Sequence, residues 1–192
     1  MACKIVLLGG EGQLGTIISK ELSSNFEIIS TSKDGNDLKN IYKLDISNLS
    51  EVRNFVSQFN PDIVINTAAI TNVDYCENNK KKSRDVNVLG LLNIIKTVSI
   101  KTKIIHFSSD FVYNGQKGLK SENTLPSPIN YYGKSKLESE NILIGSNKPY
   151  LILRISTLFS DEGNNFFNWV YNSLNNNVSI NVADDQIVNP SY

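Results

Sequence analysis

The run Lys4-Ile5-Val6-Leu7-Leu8-Gly9-Gly10-Glu11-Gly12-Gln13-Leu14-Gly15 decides the fold. Its apolar opening, Lys4 to Leu8, has strand length and is closed by glycine, which predicts a buried strand. Leu14, Ile17, Ile18 and Leu22 then recur on one helical face. A strand that turns through Gly-x-x-Gly-x-x-Gly into a helix is a phosphate cradle for a physical reason. Gly9 permits the tight turn, Gly12 lets a pyrophosphate approach the backbone, and Gly15 lets the helix pack close to the sheet. The amides and dipole of the helix N-terminus attract the anion. The spacing differs from the Gly-x-Gly-x-x-Gly of many dehydrogenases, and a plain strand-to-helix connector also satisfies it.

Working outward, short apolar runs alternate with segments of helical period. Glu27-Ser30 reads as a second strand and Tyr42-Leu44 as a short third. Asn48 is placed to cap a helix, with Glu51 reaching back, and Asn60-Pro61 stops it. Ile63-Ile65 reads as a fourth strand, Val86 to Val98 as one long helix, and Lys103-Phe107 as a fifth strand. A polar loop from Asn114 to Asn130 leads to helical period over Tyr131-Ile144, and Leu151-Ile155 reads as a sixth strand. This β-α repetition predicts an α/β fold: a doubly wound, Rossmann-like parallel sheet with helices on both faces. The asparagines at 175–177 read as a turn.

Composition narrows the function. The chain has 192 residues and a formal net charge of zero, which argues against nucleic acid or an anionic membrane as partner. Lys80-Lys81-Lys82 reads as a solvated helix start. The two cysteines, Cys3 and Cys76, have no motif spacing, so a reducing compartment without disulfides is expected. No run is long enough to span a bilayer, and a cytoplasmic location is the default expectation. No His/Cys cluster offers metal ligation, and the single histidine, His106, falls inside a predicted strand.

A second motif lies downstream. Tyr132 and Lys136 are four apart, so a helix sets them on one face. A free tyrosine has a pKa of about 10, and a neighbouring ammonium would lower it toward acid-base use. Ser109, expected just past the fifth strand, is placed to bond a substrate carbonyl at the sheet edge where α/β proteins bind ligands. The trio Ser109, Tyr132 and Lys136 suits hydride transfer between a nicotinamide and a ketone. By itself Tyr-x-x-x-Lys is also an ordinary surface pair. The second strand ends in Ser30-Thr31-Ser32-Lys33, where hydroxyl and basic groups lean to the 2′-phosphate of NADP through Ser32, while Asp34 leaves NAD open.

These residues together resemble the extended short-chain dehydrogenases, and among them the dTDP-4-dehydrorhamnose reductases. The likeness runs through Gly12-Gln13-Leu14-Gly15, Leu44-Asp45-Ile46-Ser47, Asn66-Thr67-Ala68-Ala69 and Thr71-Asn72-Val73-Asp74-Tyr75-Cys76-Glu77. It continues in Val86-Asn87, Phe107 to Gly115, Tyr132 to Glu138, Arg154, Asn165-Phe166 and Asp185-Gln186. The Thr-x-Val-Asp-x-x-Glu and Ser-Asp-Phe-Val-Tyr blocks are the specific ones. The resemblance implies that Gly12, Gln13 and Leu14 contact cofactor phosphates, that Asp45 and Ile46 flank the adenine, and that Ala68, Ala69 and Thr71 line the cofactor groove. It implies that Ser109 and Asp110 touch a nucleotide sugar, with Tyr132 as proton donor and Lys136 its partner. It further implies NADP-dependent reduction of a 4-keto-6-deoxyhexose in polysaccharide biosynthesis, and dimers built on long helices.

Two departures bear on this. Ile155-Ser156-Thr157 stands where the family has Thr-Ser-Trp, so Thr157 replaces a ring thought to pack on the sugar, and Val188 replaces a family glycine. Family members continue past the match to Ser191, so the expectation is a Rossmann domain over residues 1–155 and only the start of a substrate lobe over 156–192. Two other readings stay open: an epimerase or dehydratase of the same superfamily that keeps bound NAD, and a dinucleotide-binding regulatory subunit without catalysis.

Overall fold

The computed structural model describes residues 3–116, 118–161, 163, 165–185 and 187–191. Gln186, which the resemblance touched, lies outside the described residues. Two compact units divide the chain, one ending at Arg154 and the other beginning at Ile155.

Strands β1 (Lys4–Leu8), β2 (Glu27–Ser32), β3 (Tyr42–Lys43), β4 (Ile63–Asn66), β5 (Lys103–Ser109) and β6 (Tyr150–Ile155), all of whose residues but Ile155 belong to the first unit, form one sheet in the order β3-β2-β1-β4-β5-β6. The β1-β2, β1-β4, β2-β3 and β4-β5 pairs are parallel. Reversal of strand order at β1 opens a crevice at the carboxyl ends of β1 and β4, the place where such sheets bind ligands. Lateral register aligns Thr31, Leu8, Asn66 and His106 in one row across the sheet. The candidate site is built along and just above this row.

Side-chain alternation along β1 feeds both faces. Val6 and Leu8 join Ile29, Val64 and Ile104 under helices α2 (Leu49–Phe59), α5 (Gly90–Thr97) and α6 (Tyr131–Ile144), through Val52, Phe55, Leu91, Ile94 and Leu143. Ile5 and Leu7 face the other way with Ile65, against Ile18 and Leu22 of α1 (Gln13–Leu22). Each fully buried Leu, Ile or Val contributes roughly 1.5–3 kcal/mol.

The expected caps and breaks hold with changes. Asn48 accepts from the amides of Ser50 and Glu51 and starts α2. Glu51 reaches back to the Asn48 side-chain amide at 2.8 Å and to the Asp45 amide at 3.1 Å, not to the Asn48 amide, which is bonded to the Asp45 carbonyl. Asn60, left-handed at φ 45°, ends α2 before Pro61. The long helix expected from Val86 is interrupted. A π turn at Asp85–Leu89 and then α5 stand in its place, and α3 (Val73–Asn78) and α4 (Lys80–Arg84) precede them. Apolar period marks the buried face of α5 but carries no signal for the wider turn before it. Both β2 and β5 run two residues beyond their expected ends, so Ser109 is the last residue of β5.

In the second unit, Asn165 caps α7 (Phe166–Asn175) by accepting from the Asn168 amide. Asn176 and Asn177 turn the chain at its end, with Asn177 at φ 53°. Among the described residues no helix is long and apolar enough to cross a membrane, and no cluster of His, Cys, Asp and Glu could hold a metal ion. Cys3 and Cys76 are free thiols.

Candidate active site

Gly9 enters the turn at φ +83°, and the amides of Gly9 and Gly10 both donate to the Thr31 carbonyl, at 3.0 and 2.8 Å. A Cβ on Gly9 would meet the Ala68 nitrogen at 2.8 Å. One on Gly15 would run into the Gly9 carbonyl oxygen, so Gly15 serves close packing of α1 on the turn itself rather than on the strands. Gly12 is the N-cap of α1, and no side chain caps the helix there. The first amides of a helix lack intrahelical acceptors, so this end presents donors and a positive dipole.

A groove of about 530 Å³ opens above this turn. It brings together Gly9, Gly12, Ser32, Asp45, Ile46, Ala68 and Ala69, seven of the residues singled out in the sequence. Gln13, Leu14 and Gly15 form the first turn of α1, and Thr71 follows Ile70 on an exposed loop; none of these four is in the lining. Lys33, the basic residue read at the end of the second strand, lines it too, as do Glu11, Tyr75, Lys82 and Val86, to which sequence reasoning gave no part in the cofactor groove. Lys80, Lys81 and Lys82 open α4 and are exposed, as expected of a solvated helix start, and Lys82 also borders the groove.

Charges on the wall are arranged in two groups. Partial burial raises the Asp45 carboxyl, but hydrogen bonds from the Ser47 hydroxyl (2.6 Å) and amide (2.9 Å), and the charges of Lys33 and Lys82, outweigh it and leave the carboxyl below its ordinary value. Hydrogen bonds from Ser32 and from Asn36 (3.0 Å) hold the Glu11 carboxyl low as well. Ser32 therefore differs from its expected role: its hydroxyl accepts from the Gly35 amide and serves Glu11. The ammonium groups of Lys33 and Lys82, not the Ser32 hydroxyl, are the groove's features suited to a further phosphate.

The second cluster lies where β5 meets α6. Asn130 caps α6 by accepting from the Gly133 amide at 2.8 Å. Tyr132, 8% exposed, sits edge-on to Phe111 at 5.7 Å and shares a hydrogen bond with Ser109. The Ser109 hydroxyl donates to Asp110 at 3.2 Å, so Ser109, Asp110 and Tyr132 gather as expected. Lys136 does not act on Tyr132 as expected. Burial raises the Tyr132 pKa; the Ser109 hydrogen bond lowers it by less, and Cys76 and Asp110 add to the rise. The Lys136 ammonium instead donates to the Phe107 carbonyl at 2.6 Å and lies 3.4 Å from His106 Nε2. Burial lowers its pKa to about 8, against the raising effect of Glu140.

Around this cluster stands a polar frame that the sequence did not reveal. Glu140, 1% exposed, accepts a forked pair of hydrogen bonds from Arg154 and one from the Ser108 hydroxyl. Arg154 also donates to the Tyr113 hydroxyl at 2.7 Å. From the π turn, buried Asn87 accepts from the Ile70 amide (2.8 Å) and donates to the Ile70 carbonyl (3.0 Å) and the Ser135 hydroxyl (3.0 Å). Ser135 in turn donates to the Tyr132 carbonyl at 2.7 Å. Asn87 thus ties the groove loop after β4 to the turn of α6 that carries Tyr132. The sequence marked it only through the Val86-Asn87 block of the resemblance, with no role attached.

The family model described as RmlD substrate binding domain matches residues 3–192. The chain belongs to this family. A dTDP-4-dehydrorhamnose reductase of Aggregatibacter actinomycetemcomitans is 32% identical, over 98% of this chain and 63% of that protein. The solved dTDP-4-dehydrorhamnose reductase of Bacillus anthracis in complex with NADP is 30% identical and superposes with a TM-score of 0.83, over 92% of this chain and 61% of that one. A hypothetical dTDP-4-dehydrorhamnose reductase from Sulfolobus tokodaii is 33% identical with a TM-score of 0.84, over 92% and 63%. This RmlD-family chain therefore spans less than two thirds of the length of these relatives.

Proposed function

We propose that this chain is the cofactor-binding and proton-transfer part of an NADP-dependent reductase acting on the 4-keto group of a dTDP-4-keto-6-deoxyhexose, in deoxysugar and polysaccharide biosynthesis. The observation that carries the reading is the placement of an uncapped helix N-terminus and the Ser109-Tyr132 pair at the carboxyl edge of one sheet. A dinucleotide fits the groove on the structure's own terms: Gly9 and Gly12 line it beside the N-terminus of α1, where no side chain caps the helix, and the same groove takes in Asp45 and Ile46.

The pyrophosphate would lie at the start of α1, where Gly9 and Gly12 leave room for it, and Lys33 and Lys82 would hold the extra phosphate of NADP. Asp45, Ile46, Ala68 and Ala69 would enclose the adenosine end. When bound, the nicotinamide supplies the hydride. Ser109 and Asp110 orient the keto sugar, with the Ser109 hydroxyl at its carbonyl oxygen. Tyr132 donates its phenolic proton to that oxygen. Lys136 holds the nicotinamide ribose.

The test is a titration of NADPH into the purified chain, followed by dTDP-4-keto-6-deoxymannose. NADPH binding that survives Tyr132→Phe, with turnover that does not, is the expected result. Turnover unchanged by Tyr132→Phe overturns the proton donor, and absence of binding overturns the cofactor groove.

A further inference from the structure

His106 is 1% exposed, lies in β5 and takes no part in the chemistry above. Asn66 is its register partner on β4. The Asn66 Oδ1 accepts from the Ala68 amide at 3.1 Å, which orients the side chain and leaves Nδ2 facing His106 Nδ1, also at 3.1 Å. An amide nitrogen can only donate, so Nδ1 must accept. The proton of a neutral ring then sits on Nε2, 3.0 Å from the Ser139 hydroxyl oxygen. Ser139 gives its own hydrogen to the Lys136 carbonyl at 2.6 Å and so is free to accept there. Hydrogen bonds thus run in one direction, from the Ala68 amide on the groove wall, through Asn66, His106 and Ser139, to the backbone of Lys136.

Resting on the reading of Lys136 as the residue that holds the nicotinamide ribose, we propose that His106 is a positioning residue for Lys136, acting as a neutral imidazole with its proton on Nε2, a tautomer set by Asn66. The Lys136 ammonium is 3.4 Å from Nε2. With a proton there, the ring offers that ammonium no lone pair, and the Phe107 carbonyl is its anchor. In the other tautomer the Nε2 lone pair would accept from Lys136 and draw it off the Phe107 carbonyl. A charged ring would set an Nδ1 proton against the Asn66 amide hydrogens. Burial and the Lys136 charge, which both keep the His106 pKa well below its ordinary value, act in the same direction.

The chain has one histidine, so protein labelled with ¹⁵N-histidine gives one imidazole. A neutral ring protonated at Nε2 from about pH 6 to 8 is expected; an Nδ1 proton or a charged ring at pH 7 overturns the proposal. Asn66→Asp can accept from both the Ala68 amide and an Nδ1 proton. It should reverse the tautomer or charge the ring, and weaken NADPH binding about tenfold, the scale of one hydrogen bond to a charged group. Binding of 2′,5′-ADP, which lacks the nicotinamide half, should be unchanged. Equal NADPH affinity with the ring reversed overturns the proposal. Should Asn66→Asp fail to fold, His106→Gln decides: it keeps an N–H toward Ser139 and should bind NADPH within about twofold of wild type, and a tenfold loss overturns the role. If wild type binds neither nucleotide, the cofactor reading fails and takes the role of Lys136 with it, while the ring spectrum still settles the tautomer.

Discussion

At the end of β1 close backbone packing sets the shape: two glycine amides share one carbonyl of β2, a third glycine leaves room for the turn to meet the helix, and the Thr67 and Thr16 hydroxyls donate to the Leu8 and Gly10 carbonyls. Two strands away, at the end of β5, side chains set the shape. Ser108, Glu140 and Arg154 form one knot, and Asn66, His106, Ser139 and Lys136 another. The first region is rigid because there is no space; the second is rigid because its polar groups are bonded to one another in fixed directions. Damage should therefore follow volume in the first region and charge in the second.

The largest effect is expected at Gly15. Gly15→Ala sets a methyl against a backbone carbonyl that cannot swing away, and should cost about 4 kcal/mol or more in urea unfolding, whereas Gly12→Ala, with its nearest foreign atom at 3.3 Å, should cost under about 1 kcal/mol. Similar losses for the two would remove the claim that volume governs the turn. In the second region, Arg154→Met leaves the Glu140 carboxylate buried without its partner and should cost about 3–5 kcal/mol. Adding Glu140→Gln should restore part of that loss, since the uncompensated charge is gone; a purely additive pair would count against charge as the cause.

The pH dependence sharpens the contrast further. In the folded chain Lys136 titrates at about 8, against 10.5 for a free lysine. Between these values the unfolded chain carries a proton that the folded chain lacks, so stability rises with pH from about 8 to 10.5 and is lowest below that window. Wild type should gain roughly 1–3 kcal/mol over Lys136→Met across it, read from denaturant midpoints. A flat difference would show that burial does not hold this ammonium. The smallest effect belongs to the groove wall. Lys33→Ala and Lys82→Ala should each weaken NADPH about three- to fivefold and leave NADH unchanged, because each removes one solvated charge facing the extra phosphate. Equal losses for both nucleotides would move that phosphate elsewhere.

The two regions also differed in how far they could be read in advance. Lys4–Leu8 and Tyr131–Ile144 have the bounds expected of them, since apolar run and helical period are local signals. The polar ends of β2 and β5, Thr31-Ser32 and Ser108-Ser109, carry no strand pattern, yet the sheet holds them. Spacing put Tyr132 and Lys136 on one face, but spacing says nothing of burial, which reversed the expected shift of Tyr132 and turned Lys136 toward Phe107. The Asn66-His106 bond joins residues forty apart. It exists only because β4 and β5 pair in one particular register, and nothing near either residue announces it.

The π turn at Asp85–Leu89 has a consequence in the arithmetic of chain length. A π turn holds one more residue than the α turn it replaces, and each helical residue advances the face by about 100°. Removing a single residue from this stretch would let α4 run unbroken into α5 and rotate the Asn87 amide away from Ile70 and Ser135. The count of residues here, apart from their identity, thus couples the groove loop to α6, and a one-residue deletion would uncouple them while leaving every side chain of the site in the sequence.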